Sequence, residues 1–409
     1  MHISIGPLAA PIGDELEIEV VERKGLGHPD SICDALAEEF GLRLCRFYRE
    51  RFGAILHHNV DKVLLRGGVA APAFGGGTVI EPIEIYLAGR AIPRFRGVNL
   101  PVDELAIESA RDWFARHFHA LEFERHVRVH CLVRPGSQEL VELFQRGEAS
   151  ELLANDTSIG TGYAPLSTLE TAVLAAEREL NSLAIRRAHP AIGQDVKLMA
   201  VRRGSETDLT VACAVIDRFI NGIEAYAPVC ARIAEIVSDA AARHLPGQVT
   251  VAVNTADDLA NGSIYLTVTG TSAEAGDDGE AGRGNRHNGL ITPARPMTME
   301  SVAGKNPLTH VGKTYNLCAS LIAAALVEEI EEIAAAECLM VSQIGRPVTR
   351  PALVDIRLRL VGKQRLPVLR PAIEAIVEAH LAKLPDLVED LLARRIAIDR
   401  WPLIGPQSC

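Results

Sequence analysis

Three stretches of the chain concentrate side chains able to do chemistry. In RKGLGHPDSICDALAEEF, His28, Pro29 and Asp30 stand where a helix should begin, and Asp30, Asp34 and Glu38 recur at every fourth residue. Proline is preorganised for a first helical turn, and an acid there meets the positive end of the helix dipole. Like charges four apart nevertheless destabilise a helix by roughly a few tenths of a kcal/mol each, so the stripe needs a reason. One reading is a solvated outer face; the other is a hard cation held at Asp30, with His28 facing the same cleft. The second stretch, GDDGEAGRGNRHNG, misses the dinucleotide pattern G-x-G-x-x-G because His287 stands where the last glycine belongs, and the third, AGKNPLTHVGKT, has Pro307 where a P-loop needs its first glycine. What survives is a set of turns carrying Asp277, Asp278, Arg283, Arg286, Lys305, His310 and Lys313. Such a set suits metal-bridged phosphates, with carboxylates on magnesium and Arg or Lys on the oxygens. A salt-bridged surface loop is the alternative. Lys197 in GQDVKLMAV points away from Val196 and Leu198, and Asp156 in NDTSIGTGYAPLS precedes a glycine turn; an outward lysine on a half-solvated sheet and an ordinary turn aspartate are their bland readings.

These residues need strands and helices to position them. ELEIEVV aligns Leu16, Ile18 and Val20 on one face, HVRVHCLV aligns Val127, Val129, Cys131 and Val133, and SIYLTVTG aligns Ile264, Leu266 and Val268. DVKLMAVRR and DLTVACAVID flank Gly204 and Ser205 and predict a hairpin. PLSTLETAVLAAERELNS predicts a helix with Leu166, Leu169, Val173, Ala176 and Leu180 on one stripe and a Ser167/Glu170 capping box. Further helices are expected from about Thr314 to Ala335 and from about Pro371 to Leu384. Strands and helices mix without βαβ alternation, so the fold class is α+β, sheets covered by helices.

A chain of 409 residues suggests two or three domains. No apolar run approaches the roughly 18 to 20 residues that cross a bilayer, and the N-terminus lacks the basic and apolar regions of a secretory signal, so cytoplasm is the expected location and no membrane partner is expected. The net charge of −11 argues against nonspecific nucleic-acid binding, which depends on neutralising phosphates. Eight cysteines without a C-x-x-C pair read as reduced, mostly buried thiols.

Together, ERKGLGHPDSICD, HHNVDKVLLRGG, GTGYAPLSTLE, NTADD, YLTVTGTSAEAGDDGEAGRGNRHNGLITPARPM, AGKNPLTHVGKTYN and VSQIGRP resemble the archaeal-type S-adenosylmethionine synthetase (methionine adenosyltransferase) family, in order from residue 22 to 347. The resemblance implies three pseudo-symmetric α/β subdomains of mixed sheet, with segments 1–150 (HPD), 151–290 (GTGYA, the lysine strand and the start of the Gly/Asp loop) and 291–409 (GKNP) interleaving in space. It implies ATP and L-methionine as substrates, magnesium as cofactor with potassium as a second candidate ion, and a homodimer or dimer of dimers with active sites at the subunit interface. By motif, His28 and Asp30 resemble the family's histidine and magnesium aspartate. Asp156 and Asp277 resemble acids near adenosine and methionine, and Lys197, Arg283 and Lys305 resemble the cations that hold the triphosphate. Gly284 follows Arg283 where the bacterial and eukaryotic branch has a second basic residue, with Arg286 as its candidate substitute. Gly312 stands where that branch has a second magnesium aspartate, with His310 and Lys313 as candidates for the phosphate contacts there. The rival readings are another ATP-using enzyme, a catalytically silent paralogue, and a synthetase specialised for a methionine analogue.

Overall fold

The computed structural model describes residues 2–148, 151–362 and 365–404. Three of its sheets are open layers, each covered on one face by two long helices; Val69–Ala71 with Thr78–Glu81 and Arg94–Phe95 with Val98–Asn99 form two small two-stranded sheets besides. Strands Gly279–Glu280, Asn59–Arg66, Ile83–Arg90 and Val127–Arg134 form the first sheet, in that order. Helices Pro29–Phe52 and Val102–His117 supply its core with Leu36, Phe40, Leu44, Trp113 and Phe114. The second sheet orders Ile18–Lys24, Ile192–Arg203, Glu206–Ile216 and Gln248–Val253 beneath helices Thr168–Leu180 and Ile223–Ala242. The third orders Ile159–Ala164, Ile333–Val341, Leu353–Leu360 and His2–Pro7 beneath helices Val311–Glu329 and Leu366–Ala382.

All three layers share one four-strand pairing, two antiparallel pairs and then one parallel pair, and in the second Leu266–Thr267 also pairs in parallel with the Glu206–Ile216 strand. Each is built from a helix, a pair of antiparallel strands and a second helix; the closing parallel strand follows in the first two units and comes from the N-terminus in the third. The strand that precedes each unit does not join that unit's own sheet. Ile18–Lys24 precedes the first unit and pairs in the second sheet, Ile159–Ala164 precedes the second and pairs in the third, and Gly279–Glu280 precedes the third and pairs in the first. This cyclic exchange of strands ties the three units together.

Local rules hold at many points. The capping box is present, with Ser167 Oγ accepting from Glu170 N at 3.0 Å and Glu170 accepting from Ser167 N at 2.6 Å. The 192–216 hairpin turns at Gly204 with φ +57°. Gly160 and Gly162 are required because a methyl group there would lie 2.3 and 2.2 Å from the backbone of the Val311–Glu329 helix, which presses directly on the strand.

Four expectations need correction. The buried face of Ile18–Lys24 is Glu19, Val21 and Arg23, while Ile18 is 58% exposed. Buried charge partners invert the pattern: Glu19 meets Arg202 at 2.9 Å and Arg23 meets Glu177 at 2.6 Å, and paired charges tolerate an interior that isolated ones do not. Within SIYLTVTG only Leu266–Thr267 pairs as strand, because Val268 and Thr269 turn to give their N–H groups to the buried Glu274. The helix expected to reach Ala335 spans Val311–Glu329, and Ile333–Val341 is a strand that gives Ile333, Ala336, Cys338 and Met340 to the core beneath that helix. The helix expected from Pro371 begins at Leu366, with Pro371 inside its first two turns. Five cysteines are buried thiols, Cys131 and Cys230 are partly buried, and Cys409 lies outside the described residues. Among the described residues no helix is long and apolar enough to cross a membrane.

Candidate active site

The chain leaves the Ile18–Lys24 strand through Gly25 and Gly27 to reach the HPD helix. A methyl group at Gly27 would lie 2.4 Å from the backbone of Gln194, so only glycine lets this corner lie against the lysine strand. His28 then caps the helix, its Nδ1 accepting from Asp30 N at 3.1 Å. With Nδ1 an acceptor, the ring proton belongs on Nε2. Burial, opposed by Asp30 and assisted by the charges of Lys24 and Lys197, pushes His28 down to about 4, so the ring is neutral near pH 7 and presents one N–H donor. Asp30 accepts from Lys24 Nζ at 2.8 Å and from Glu280 N at 2.9 Å. Burial works to raise its carboxyl, but those hydrogen bonds outweigh it and hold it below the usual carboxylate range.

The acidic stripe is not a solvated face. Asp30 takes Glu280 N, Asp34 takes Gly282 N at 2.8 Å, and Glu38 takes Gly304 N at 3.0 Å. Each carboxylate along the helix therefore anchors the backbone of one of the two loops that the sequence singled out. Burial raises Asp34 to about 7, against the Gly282 hydrogen bond. A folded value above the unfolded one, near 3.9, means stability that is complete below about pH 3.9 and is lost as pH rises toward 7. Asp34→Asn keeps the acceptor and removes the buried charge, so it is expected to raise the melting temperature at pH 8 by several degrees while changing it little at pH 4. Equal shifts at the two pH values would show that charge burial is not the cause.

Lys197 lies across the strand pair from Lys24, on the face of the second sheet that no helix covers, with Nζ 3.4 Å from Glu22. The sequence reading missed Lys24. It also missed Asp195, two residues before Lys197, which accepts from Tyr265 Oη at 3.0 Å and from Ser272 N and Oγ at 2.9 and 2.7 Å. Burial raises Asp195 to about 6 despite these bonds. Asp277, Asp278 and Arg283 lie exposed on the Gly/Asp loop; Asp278 accepts from Gly67 N at 2.9 Å and the Arg283 carbonyl accepts from Lys24 Nζ at 2.8 Å. Arg286 is turned inward, donating to the carbonyls of Gly282, Gly284 and Thr298 at 2.6, 2.9 and 3.0 Å.

A second cluster forms where the Val311–Glu329 helix begins. His310 is its cap, with Nδ1 accepting from Gly312 N at 3.3 Å in the manner of His28. Burial, together with Lys305 and Lys313, holds this ring neutral. Lys313 is fully buried and donates to both Glu38 oxygens at 2.8 and 2.6 Å. Lys305 is buried against the Glu300 carboxylate, with Asp61 3.9 Å away. Burial pulls Lys305 down to about 8 against the opposing charge of Asp61, which leaves it an ammonium near pH 7. Asp156 is exposed on the adjoining loop, its carboxylate accepting from Thr157 N at 2.7 Å.

The two clusters are separate within one chain. His28, Asp30, Lys24 and Lys197 gather at the start of the HPD helix, whereas Glu38, which reaches the second cluster, lies eight residues on, about 12 Å along the axis. A cavity of about 220 Å³ behind the same helix is lined by Asp34, Glu38, Asn285, Arg286 and Asp399, but by none of His28, Asp30, Lys197 or Lys305. Among the described residues no group of three or more His, Cys, Asp or Glu forms a metal cage. A single carboxylate such as Asp30 would suffice for magnesium, which keeps several waters and binds through one or two carboxylates plus phosphate oxygens.

The sequence model of the family described as S-adenosylmethionine synthetase (AdoMet synthetase) matches residues 1–395. A probable S-adenosylmethionine synthase of Aquifex aeolicus is 48% identical over 401 residues, covering 97% of this chain and 99% of that protein. An S-adenosylmethionine synthase of Haloquadratum walsbyi is 44% identical over 379 residues, covering 93% and 94%. Among solved structures, an unusual S-adenosylmethionine synthetase from Campylobacter jejuni superposes with a TM-score of 0.61 at 14% identity, over 93% of this chain and 94% of that one. That likeness extends to the fold, with its mixed sheets covered by helices.

Proposed function

The chain belongs to the S-adenosylmethionine synthetase family, and from that premise we propose how its two clusters divide the work of making S-adenosylmethionine from ATP and methionine. The methionine sulfur attacks the 5′ carbon of ATP; a lone pair forms the S–C bond while the C–O bond breaks and its electrons leave on the triphosphate. A thioether is already a neutral nucleophile and needs no base, which suits a site without a triad or an activated thiol. The demands that remain are in-line positioning and neutralisation of a departing polyanion. His28 carries the reading: a ring held neutral, with its one N–H on Nε2, beside the ammonium groups of Lys24 and Lys197. That N–H donates to the oxygen that departs from the 5′ carbon. Lys197 and Arg283 hold phosphate oxygens, Arg286 shapes the loop that carries Arg283, and Asp277 and Asp195 suit the ammonium of methionine or adenosine hydroxyls. Magnesium, held at Asp30, would spread the charge of the phosphates.

Lys305 and Asp156, with His310 and Lys313 shaping their surroundings, form the other half of the site, and a second copy of the chain brings that half to the first. The support is the uncovered face of the second sheet, where Val20, Met199 and Val201 run beside Lys24 and Lys197, with exposed Ile18 at its edge. Pairing two such faces would bury this apolar strip and set the HPD cluster at the interface. A homodimer is thus the smallest functional unit, and the cytoplasm, with its ATP, is the fitting location.

Product analysis tests the chemistry: S-adenosylmethionine with phosphate and pyrophosphate is expected, and ADP or AMP as the ATP-derived product would overturn it. Asp30→Asn is expected to raise the half-saturating magnesium concentration by roughly tenfold, because one charge leaves a hard oxygen site. An unchanged magnesium titration would remove Asp30 from the metal's surroundings.

A further inference from the structure

We propose that Glu300 is an internal anion that occupies the phosphate position over Lys305 in the ligand-free protein and swings away when a polyphosphate binds, so that it gates the second half of the site. The proposal rests on the reading of Lys305 as a phosphate ligand and goes beyond it.

Glu300 reaches its place from the segment that follows the Gly/Asp loop. One carboxylate oxygen contacts Lys305 Nζ and the other accepts from Ser158 Oγ at 3.2 Å. The side chain lies flat on Gly312, where an added methyl group would meet Glu300 Oε1 at 2.4 Å and its carboxyl carbon at 2.8 Å. The carboxylate therefore sits in the first turn of the Val311–Glu329 helix, against a buried ammonium, at the positive end of the dipole. An anion of three or four oxygens would be stabilised by the same surroundings. Of the other charged groups around this spot, Lys313 is committed to Glu38, Lys62 to Asp61 at 2.6 Å, His310 is held neutral, Asp61 stands 3.9 Å from the ammonium, and Asp156 is an exposed anion on the adjoining loop.

Two further observations point to displacement rather than a fixed ion pair. Glu300 hangs on a lightly packed segment: its side chain is 26% exposed against 5% for Lys305, and the preceding Met299 is 95% exposed. The surroundings also hold polar atoms without partners. Thr309 Oγ1, Asn155 Oδ1 and Asn59 Oδ1 are buried and make no hydrogen bond. All three flank the Lys305–His310 turn, since Asn59 bridges to Lys305 through the backbone and Asn155 N donates to Thr309 O at 3.2 Å. Buried polar groups are nearly always satisfied, so a cluster of exceptions beside a buried cation marks a place where a ligand or its water completes the bonding. The segment is also coupled to the first cluster's loop, because Arg286 bonds Thr298 O together with the carbonyls of Gly282 and Gly284.

A protein whose competent state is only partly populated binds its ligand more weakly by that fraction. Removing the internal anion removes the penalty. The test is titration calorimetry of inorganic tripolyphosphate into the full-length protein, with EDTA and again with magnesium. Glu300→Gln, and Glu300→Ala as a second variant, are expected to bind tripolyphosphate roughly tenfold more tightly than the parent in both conditions, while Lys305→Ala binds it more weakly. Affinity unmoved in Lys305→Ala would sink the phosphate assignment of Lys305 and the gate with it. Weaker binding in Lys305→Ala combined with unchanged or weaker binding in both Glu300 variants would sink the gate alone. A Glu300 effect that reverses when magnesium is added would make Glu300 a metal ligand and likewise overturn the gate.

Discussion

His28→Ala is expected to cut S-adenosylmethionine formation by roughly 100-fold or more, as when one catalytic hydrogen-bond donor is removed, while cleavage of added tripolyphosphate survives. A hundredfold loss is about 2.7 kcal/mol of transition-state stabilisation, within the reach of a single well-placed N–H in a dry site. The donor is needed only while charge builds on the oxygen leaving the 5′ carbon; added tripolyphosphate has already left. Lys305→Ala, by contrast, is expected to depress both activities, because phosphate oxygens must be held in both steps. His28 also caps the HPD helix through Nδ1, so alanine removes a cap as well as a donor, at a cost of about 1 kcal/mol in stability. His28→Ser separates the two roles. Serine caps a helix well, but its hydroxyl is too short to reach where Nε2 reaches, so thermal stability should return and synthesis should not. Equal loss of synthesis and tripolyphosphate cleavage in His28→Ala would make the histidine a general phosphate ligand instead.

Features decided within a few residues were legible in the sequence. The HPD helix start, the Ser167 capping box and the hairpin at Gly204 follow from local chemistry, and each is present. What the sequence concealed depends on partners far along the chain. The acidic stripe looks unfavourable until Glu280, Gly282 and Gly304 bring their N–H groups to it from more than two hundred residues away. Glu19 and Arg23 look solvent-facing until Arg202 and Glu177 pair with them inside the protein. The three-unit repeat was invisible because each unit's preceding strand is lent to another sheet, so the spatial unit is never one continuous segment.

The site residues divide along the same line. Asp195 left little signal: it stands two residues before Lys197, but the strand's register shifts between Ile192 and Val196, and its partners Tyr265 and Ser272 lie some seventy residues on. Lys24 and Glu300 left none: their interest comes from the group that each neutralises, Asp30 and Lys305. In the ligand-free protein the principal anion of the first cluster and the principal cation of the second are thus each matched by an internal countercharge. In the proposed complex the oxygens of a polyphosphate would take the lysine of each pair, leaving Asp30 for the metal and displacing Glu300 from Lys305.

Mixing His28→Ala and Lys305→Ala proteins is expected to restore synthesis to about one quarter of the parent level, although each variant alone is nearly inactive. If a site takes its HPD cluster from one copy and its Lys305 cluster from the other, each homodimer of a variant has one damaged half in both of its sites. A mixed dimer gathers both lesions into one site and leaves the other intact. Random exchange makes about half of the dimers mixed, and half of their sites are whole, which sets the quarter. The separation of the clusters within one chain is the reason to expect this. Lys197 lies on the uncovered face of the second sheet with His28 near it at the start of the HPD helix, whereas Lys305 is buried just ahead of the helix that covers the third. Denaturing and refolding the two variants together, with separately refolded variants mixed afterwards as the control, distinguishes subunit exchange from simple addition of residual rates. No recovery after verified exchange would mean that both clusters serve one site within the same chain, and a single extended triphosphate would then have to reach both.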